Sequence, residues 1–256
     1  MTELKTKLVP SVEKSMQILE YIINSQKACS LREVHTALDI AKTSAYSILN
    51  TLIHGGFIQK DQKGLYIPTL KLTAMGLKTR ELNNGIRFIR PLLEQLRDKT
   101  GFTVFFVIYD NGELIVLDKL DGFGSIIFNS YIGQKKRMNT SAGGKAMAAF
   151  LTPHELDVVI SKGLDNLTSK SIHKVDEFLV HLDEIRQRGY SIDDGEGELG
   201  IRCIGAPVFT YDGVLYGTVS ISTLDANLPM TEIPKYAEYL LEATSAMSRE
   251  LGFKCI

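Results

Sequence analysis

The chain changes its hydrophobic period partway along, and that change limits the folds open to it more than any other feature. Up to about residue 54 the apolar residues recur at helical spacing. Beyond residue 100 they run in short blocks broken by Asp110-Asn111-Gly112 and Asp212-Gly213. A chain of 256 residues with such a switch has room for two domains built on different principles.

Residues 12–24 place Val12, Met16, Leu19 and Ile23 on one helical stripe, with Ile18 and Ile22 beside it. Ser30-Leu31-Arg32-Glu33 has the capping-box spacing, in which the Ser and Glu side chains satisfy each other's free amides, and it opens a short helix to about Leu38. A third helix follows Asp39-Ile40-Ala41. Its apolar positions Ala45, Ile48, Leu49 and Leu52 fit the i, i+3, i+4, i+7 rule, and His54-Gly55-Gly56 ends it. FIQKD and GLYIP then flank Gln62-Lys63-Gly64 as a hairpin. Helices and hairpin in this order make a winged helix-turn-helix pattern.

Residues 70–97 read as helix, interrupted at 83–85 and kinked at Pro91. The expected organisation is a winged helix-turn-helix over 1–75, a helical linker over 76–99 and a second domain over 100–256. In the last, strands are expected at 102–109, 113–119, 125–132, 204–211 and 214–222. Helices are expected at 143–151, 153–161, 174–189 and 234–251, the final one with Tyr236, Leu240, Ala243, Met247 and Leu251 on one face. The class is α+β, with an antiparallel sheet packed against helices.

The net charge of −1 hides an uneven distribution. Residues 1–80 carry eleven Lys and Arg against six acids, whereas the remainder carries 18 against 24. A basic head on an acidic body suits a protein in which one module meets phosphates and the other does not. Cys29, Cys203 and Cys255 are odd in number and far apart, which points to a reducing cytoplasm rather than a disulfide scaffold. No stretch approaches the ~18 apolar residues of a membrane span, and the N-terminus has no signal-peptide apolar region. No cofactor, metal or membrane partner is expected.

If the third helix packs through its apolar stripe, about 100° per residue turns Thr43, Tyr46, Ser47 and Asn50 outward, with Lys42 at the N-terminal end and Ser44 beside them. Short hydroxyls, an amide and a lysine suit a major groove, where they reach base edges and phosphates. Lys60, Lys63 and Tyr66 fall in or beside the hairpin, where a wing can meet the DNA backbone. The alternative for each is an ordinary solvated surface.

SVEKSMQILEYI, LDIAKTSAYSILNTLIHGGFI and YIPTLKLTAMG resemble the first helix, recognition segment and wing exit of the IclR family of regulators. NTSAGGKAMAAF (139–150), RGYSIDDGEGELGIRCIGAPVF (188–209) and YGTVSIS (216–222) are similar to the blocks of its GAF-like effector domain. Ser47 stands where the family very often has Arg, so the charged contact expected there is absent. The resemblance implies double-stranded operator DNA as partner, a homodimer formed through the N-terminal region and often a tetramer, and an effector that is a small organic or sugar acid. Carried over by motif, the effector contacts are the amides of Ala142 and Gly143 and the side chains of Asp193, Cys203, Ser220 and Ser222.

The residues support part of this independently. Ala142-Gly143-Gly144 at a helix start supplies free amides and the positive end of a dipole, a place for a carboxylate. Ser220 and Ser222, two apart on a strand, share one face. Asp193 beside a bound carboxylate requires one of the two to be protonated, or a ligand hydroxyl. Gly-Gly-Lys-Ala lacks the spacing and the Ser/Thr of a phosphate loop. The run Asp193, Asp194, Glu196, Glu198 reads as a solvated acidic loop, with a hard-cation site as alternative. An enzyme using Asp193 as base or Cys203 as nucleophile is the rival to a regulator, and it lacks a histidine near Cys203 in sequence.

Overall fold

The computed structural model describes residues 8–25, 27–82, 84–124 and 128–253. Lys5, Lys7, Asn83, Cys255 and the start of the strand expected at 125–132 lie outside these residues, as does the side chain of Arg80. The chain divides between Asn84 and Gly85 into two compact units.

The first unit contains α1 (Pro10–Asn24), α2 (Leu31–Ala37), α3 (Lys42–His54), the hairpin β1 (Ile58–Lys60) and β2 (Tyr66–Pro68), and α4 (Leu70–Leu82). The capping box forms as expected. Ser30 N donates to Glu33 Oε2 at 2.7 Å and Glu33 N to Ser30 Oγ at 3.2 Å. These bonds hold the Glu33 carboxyl down at about 2, the Ser30 amide contributing most. Asp61 Oδ1 closes the wing turn by accepting from Lys63 N (2.8 Å) and Leu65 N (2.9 Å), with Gly64 at φ +77°.

Two expectations change here. Helix α1 reaches α3 and β2 through Ile18 and Ile22, one turn apart and fully buried, so the helix is rotated from the expected face. Val12, Met16 and Ile23 are exposed instead, Met16 by 60 %. Tyr66, expected on the wing surface, is 3 % exposed and belongs to the core of this unit, where its backbone exchanges hydrogen bonds with Cys29. An aromatic of that size on a three-residue strand covers the small core better than it would reach outward.

The second unit begins within α5 (Asn84–Thr100), which runs through Pro91 and buries Ile86, Ile89, Leu93 and Leu96. The second half of the expected linker is thus core. There follow β3 (Thr103–Asp110), β4 (Glu113–Leu120), β5 (Lys135–Lys136), α6 (Ala142–Ala149), α7 (Pro153–Ser161), α8 (Val175–Arg188), β6 (Ser191–Asp194), β7 (Ile201–Phe209), β8 (Leu215–Leu224) and α9 (Ile233–Glu250). The strands form one antiparallel sheet in the order β5-β4-β3-β8-β7-β6. One face packs on α5 and α9 through Phe106, Ile204, Ala206 and Ile221, the other on α6 and α8 through Phe105, Val107 and Met147. Alternation along β3 sends Phe105 and Phe106 to opposite layers. Of the strand expected at 125–132, the described residues 128–132 are not extended pairs, and the edge is taken by Lys135–Lys136. β6, with its polar Ser-Ile-Asp-Asp, had not been anticipated.

Candidate effector cavity and nucleic-acid interface

On α3 the core takes Ala45, Leu49 and Leu52, with Ile48 partly buried against it. Lys42, Thr43, Tyr46, Ser47 and Asn50 are exposed, and Ser44 is half-buried. Tyr46 is 50 % exposed. Lys60 and Lys63 are exposed on the wing, Lys60 lying 5.3 Å from the centre of the Tyr66 ring. The outer face of α3 is therefore an array of solvated polar groups on a helix whose other side packs into the core.

In the second unit all six residues expected at the effector line a single cavity of about 510 Å³. Their assembly follows from sheet register. Asp193 pairs with Cys203, and Cys203 with Ser222, so three polar side chains form a row across β6, β7 and β8. Neighbouring strands are ~4.8 Å apart, which sets the spacing of that row. The next row on this face is Ser191, Gly205 and Ser220. Gly205 makes room for the start of α6: a Cβ there would lie 2.7 Å from the Ala142 carbonyl and 2.9 Å from Gly143 N. Gly144 is equally constrained, since its Cβ would lie 2.4 Å from Met138 O. The first turn of α6 thus rests directly on the sheet, fixed by Ser191 Oγ donating to Ala142 O (2.5 Å) and Thr218 Oγ1 to Gly143 O (2.8 Å).

Ser141 caps this helix, its Oγ accepting from Gly144 N at 3.1 Å. Among the described residues the amides of Ala142 and Gly143 have no hydrogen-bond partner, and they end at the cavity. Burial holds the Asp193 carboxyl above the ordinary carboxylate range, against the Lys145 charge and the amides of Glu196 and Gly197. Burial likewise pushes the Cys203 thiol up, with the Asp193 charge adding to it and the Ser222 hydroxyl opposing it, which favours the thiol form.

The acidic loop differs from its expected solvated state. Glu196 is 6 % exposed and pairs with Lys145 of α6, whose side chain is wholly buried and also donates to Ile192 O at 2.6 Å. Asp194 pairs with Arg202 and, at 2.9 Å, with Lys170, and Asp193 Oδ1 accepts from Glu196 N at 2.8 Å. The cause is Lys145, which draws the loop onto the helix. Beyond the six expected residues the cavity is lined by Phe105, Val107, Phe128, Thr140, Lys136 and Glu198 among others. Strand alternation along 102–109 marks Phe105 and Val107; nothing local marks Lys136, on a two-residue edge strand.

Residues 82–249 match the family described as bacterial transcriptional regulator IclR C-terminal, and 11–62 match the IclR helix-turn-helix domain. The chain is 30% identical over 251 residues to the DNA-binding transcriptional repressor YiaJ of Escherichia coli, covering 95% of this chain and 88% of that protein. It is 27% identical over 248 residues to the E. coli regulator XynR, covering 96% and 98% respectively. The crystal structure of the Thermotoga maritima IclR superposes with a TM-score of 0.75 at 28% identity, covering 95% of this chain and 99% of that one. These relatives are regulators, not enzymes. The chain belongs to the IclR family of bacterial transcriptional regulators, with an N-terminal helix-turn-helix domain followed by the family's C-terminal domain.

Proposed function

We propose that the chain is a repressor that binds double-stranded operator DNA through Lys42, Thr43, Ser44, Tyr46, Ser47 and Asn50, with Lys63 on the wing. A small organic or sugar acid in the cavity of the second unit controls that binding. The observation that carries this reading is the pair of amides at Ala142 and Gly143, without partners among the described residues, at a cavity also lined by the row Asp193, Cys203, Ser222 with Ser220 beside it. Amides at a helix start favour an anion. An Asp193 held toward its protonated form can donate to a carboxylate oxygen, which removes the clash between two negative groups.

A hydrogen bond to a charged group is worth ~1.5–3 kcal/mol, roughly ten- to a hundredfold in affinity. Ser220→Ala and Ser222→Ala should weaken the effector response by about that factor in titrations of operator release, without changing binding of the effector-free protein to DNA. If both variants respond like the wild type, the cavity is not the effector site.

The exposed apolar residues of α1, Val12, Met16 and Ile23 with Leu8 and Val9, support a homodimer through the N-terminal unit. A dimer predicts an inverted-repeat operator. Met16→Glu should shift the mass seen in sedimentation toward the monomer; an unchanged mass would place the dimer contact elsewhere.

A further inference from the structure

Lys135, Lys136 and Arg137 all border the cavity, and they are not equivalent. Lys135 Nζ lies 2.6 Å from Asp110 Oδ2, and Arg137 lies 3.8 Å from both Glu113 and Asp165. Lys136 has neither kind of partner. Its register neighbour on β4 is Leu114, a buried residue of the cavity wall. Residues directly opposite in an antiparallel pair share a face, so the lysine is carried to the cavity side of the sheet. There its Nζ donates to Ser130 Oγ at 2.6 Å, and among the described residues no carboxylate lies within salt-bridge distance of it. Burial lowers its pKa, opposed in part by the carboxyl groups of Asp193 and Glu198. Glu113 is already engaged by Lys162 and Arg137, and Glu198 is exposed to water.

A half-buried ammonium with one neutral partner is a group poorly compensated by the protein, and an anion arriving in the cavity would complete it. The cavity's other anion-recognising element is the start of α6. A volume of about 510 Å³ is more than a lone carboxylate group occupies and lies within the ~300–1,000 Å³ of ordinary small-molecule sites. We propose that Lys136 is a second anion-binding residue and that the effector is a small dicarboxylate. One carboxylate meets the Ala142 and Gly143 amides; the other meets Lys136 Nζ and the Ser130 hydroxyl, which can donate while it accepts from the lysine. This rests on the reading of the cavity as an acid site given above.

The test uses the full chain and titration calorimetry with succinate, glutarate and adipate, each beside the monocarboxylate of equal length: butyrate, valerate and hexanoate. At least one dicarboxylate should bind about tenfold or more tightly than its monocarboxylate. Lys136→Met should abolish that advantage while leaving the monocarboxylate within about twofold of its wild-type affinity, and Lys136→Arg should restore most of it. An advantage that survives in Lys136→Met, or monocarboxylates that bind the wild type as well as dicarboxylates do, would overturn the second anion site and leave the acid site standing. If no acid of either series binds, the acid reading itself falls and this inference with it. Melting temperatures of both variants, and the Arg rescue, separate loss of recognition from loss of fold.

Discussion

The two units place polar side chains under opposite physical conditions. On α3 the hydroxyls, amide and lysine stand in water on a convex face, and the helix is held by apolar residues on its other side. In the cavity Asp193, Ser220 and Ser222 are buried, and behind them lies the Lys145–Glu196 pair with almost no exposure. A solvated group contributes to recognition and little to folding; a buried one contributes to both, because losing it strands its partner. Stability and recognition are separable in the first unit and entangled in the second.

Removing one member of the buried pair probes that contrast hardest. Glu196→Ala leaves the Lys145 ammonium uncompensated inside the unit, and breaking a buried pair this way costs about 3–5 kcal/mol. Denaturant unfolding followed by circular dichroism should show that loss in the transition of the second unit. A loss below about 1 kcal/mol would mean that water reaches the pair and that the contrast is weaker than drawn.

A smaller effect comes from His181, beside the same cluster. Burial, with the charges of Lys145 and Arg188, lowers its pKa from 6.5 to about 4, although Glu184 lies 3.4 Å from Nδ1. Its Nε2 is buried without a hydrogen-bond partner among the described residues. Below 6.5 the unfolded chain takes up a proton that the fold excludes until about 4, so this residue's contribution to stability falls as pH drops through that window. The melting temperature of His181→Gln should fall less steeply there than that of the wild type. Parallel curves would show that the histidine is solvated in the native state.

The smallest stability change belongs to the reading face. Tyr46→Ala should alter unfolding free energy by no more than about 0.5 kcal/mol, as surface substitutions do. Operator binding in a mobility shift should nevertheless weaken. A clear loss of stability would show that the ring is structural and that the first unit is as entangled as the second.

Helix α3 was legible because a 3.6 period separates two faces unambiguously when one is Ala, Leu and Leu and the other Thr, Ser and Asn. The face of α1 was not, because it carries more apolar residues than the core uses, and period alone cannot tell a packed stripe from an exposed one. Tyr66 misled for the reverse reason: an amphipathic ring fits a wing tip or a core, and only the neighbouring Cys29 segment decides. In the cavity, the Gly-rich turn and the Ser-x-Ser spacing marked the floor. The acidic loop was misjudged because the partner of Glu196 is 51 positions away, a distance at which charge pairing leaves no local trace. Lys136 was missed because its direction depends on an edge strand of two residues.

The absence of a side chain at Gly205 also bears on how this cavity can change. With α6 seated directly on β7, any side chain at that position would have to displace helix backbone, and Gly144 meets the Met138 backbone in the same way. The floor is therefore closed to substitution, whereas Phe128, Ser130 and Lys136 reach the cavity from a loop and a sheet edge. A library built to retarget the sensor should hold the glycines constant and randomise that rim. Variants recovered from it would differ at the rim of the cavity and keep the same floor.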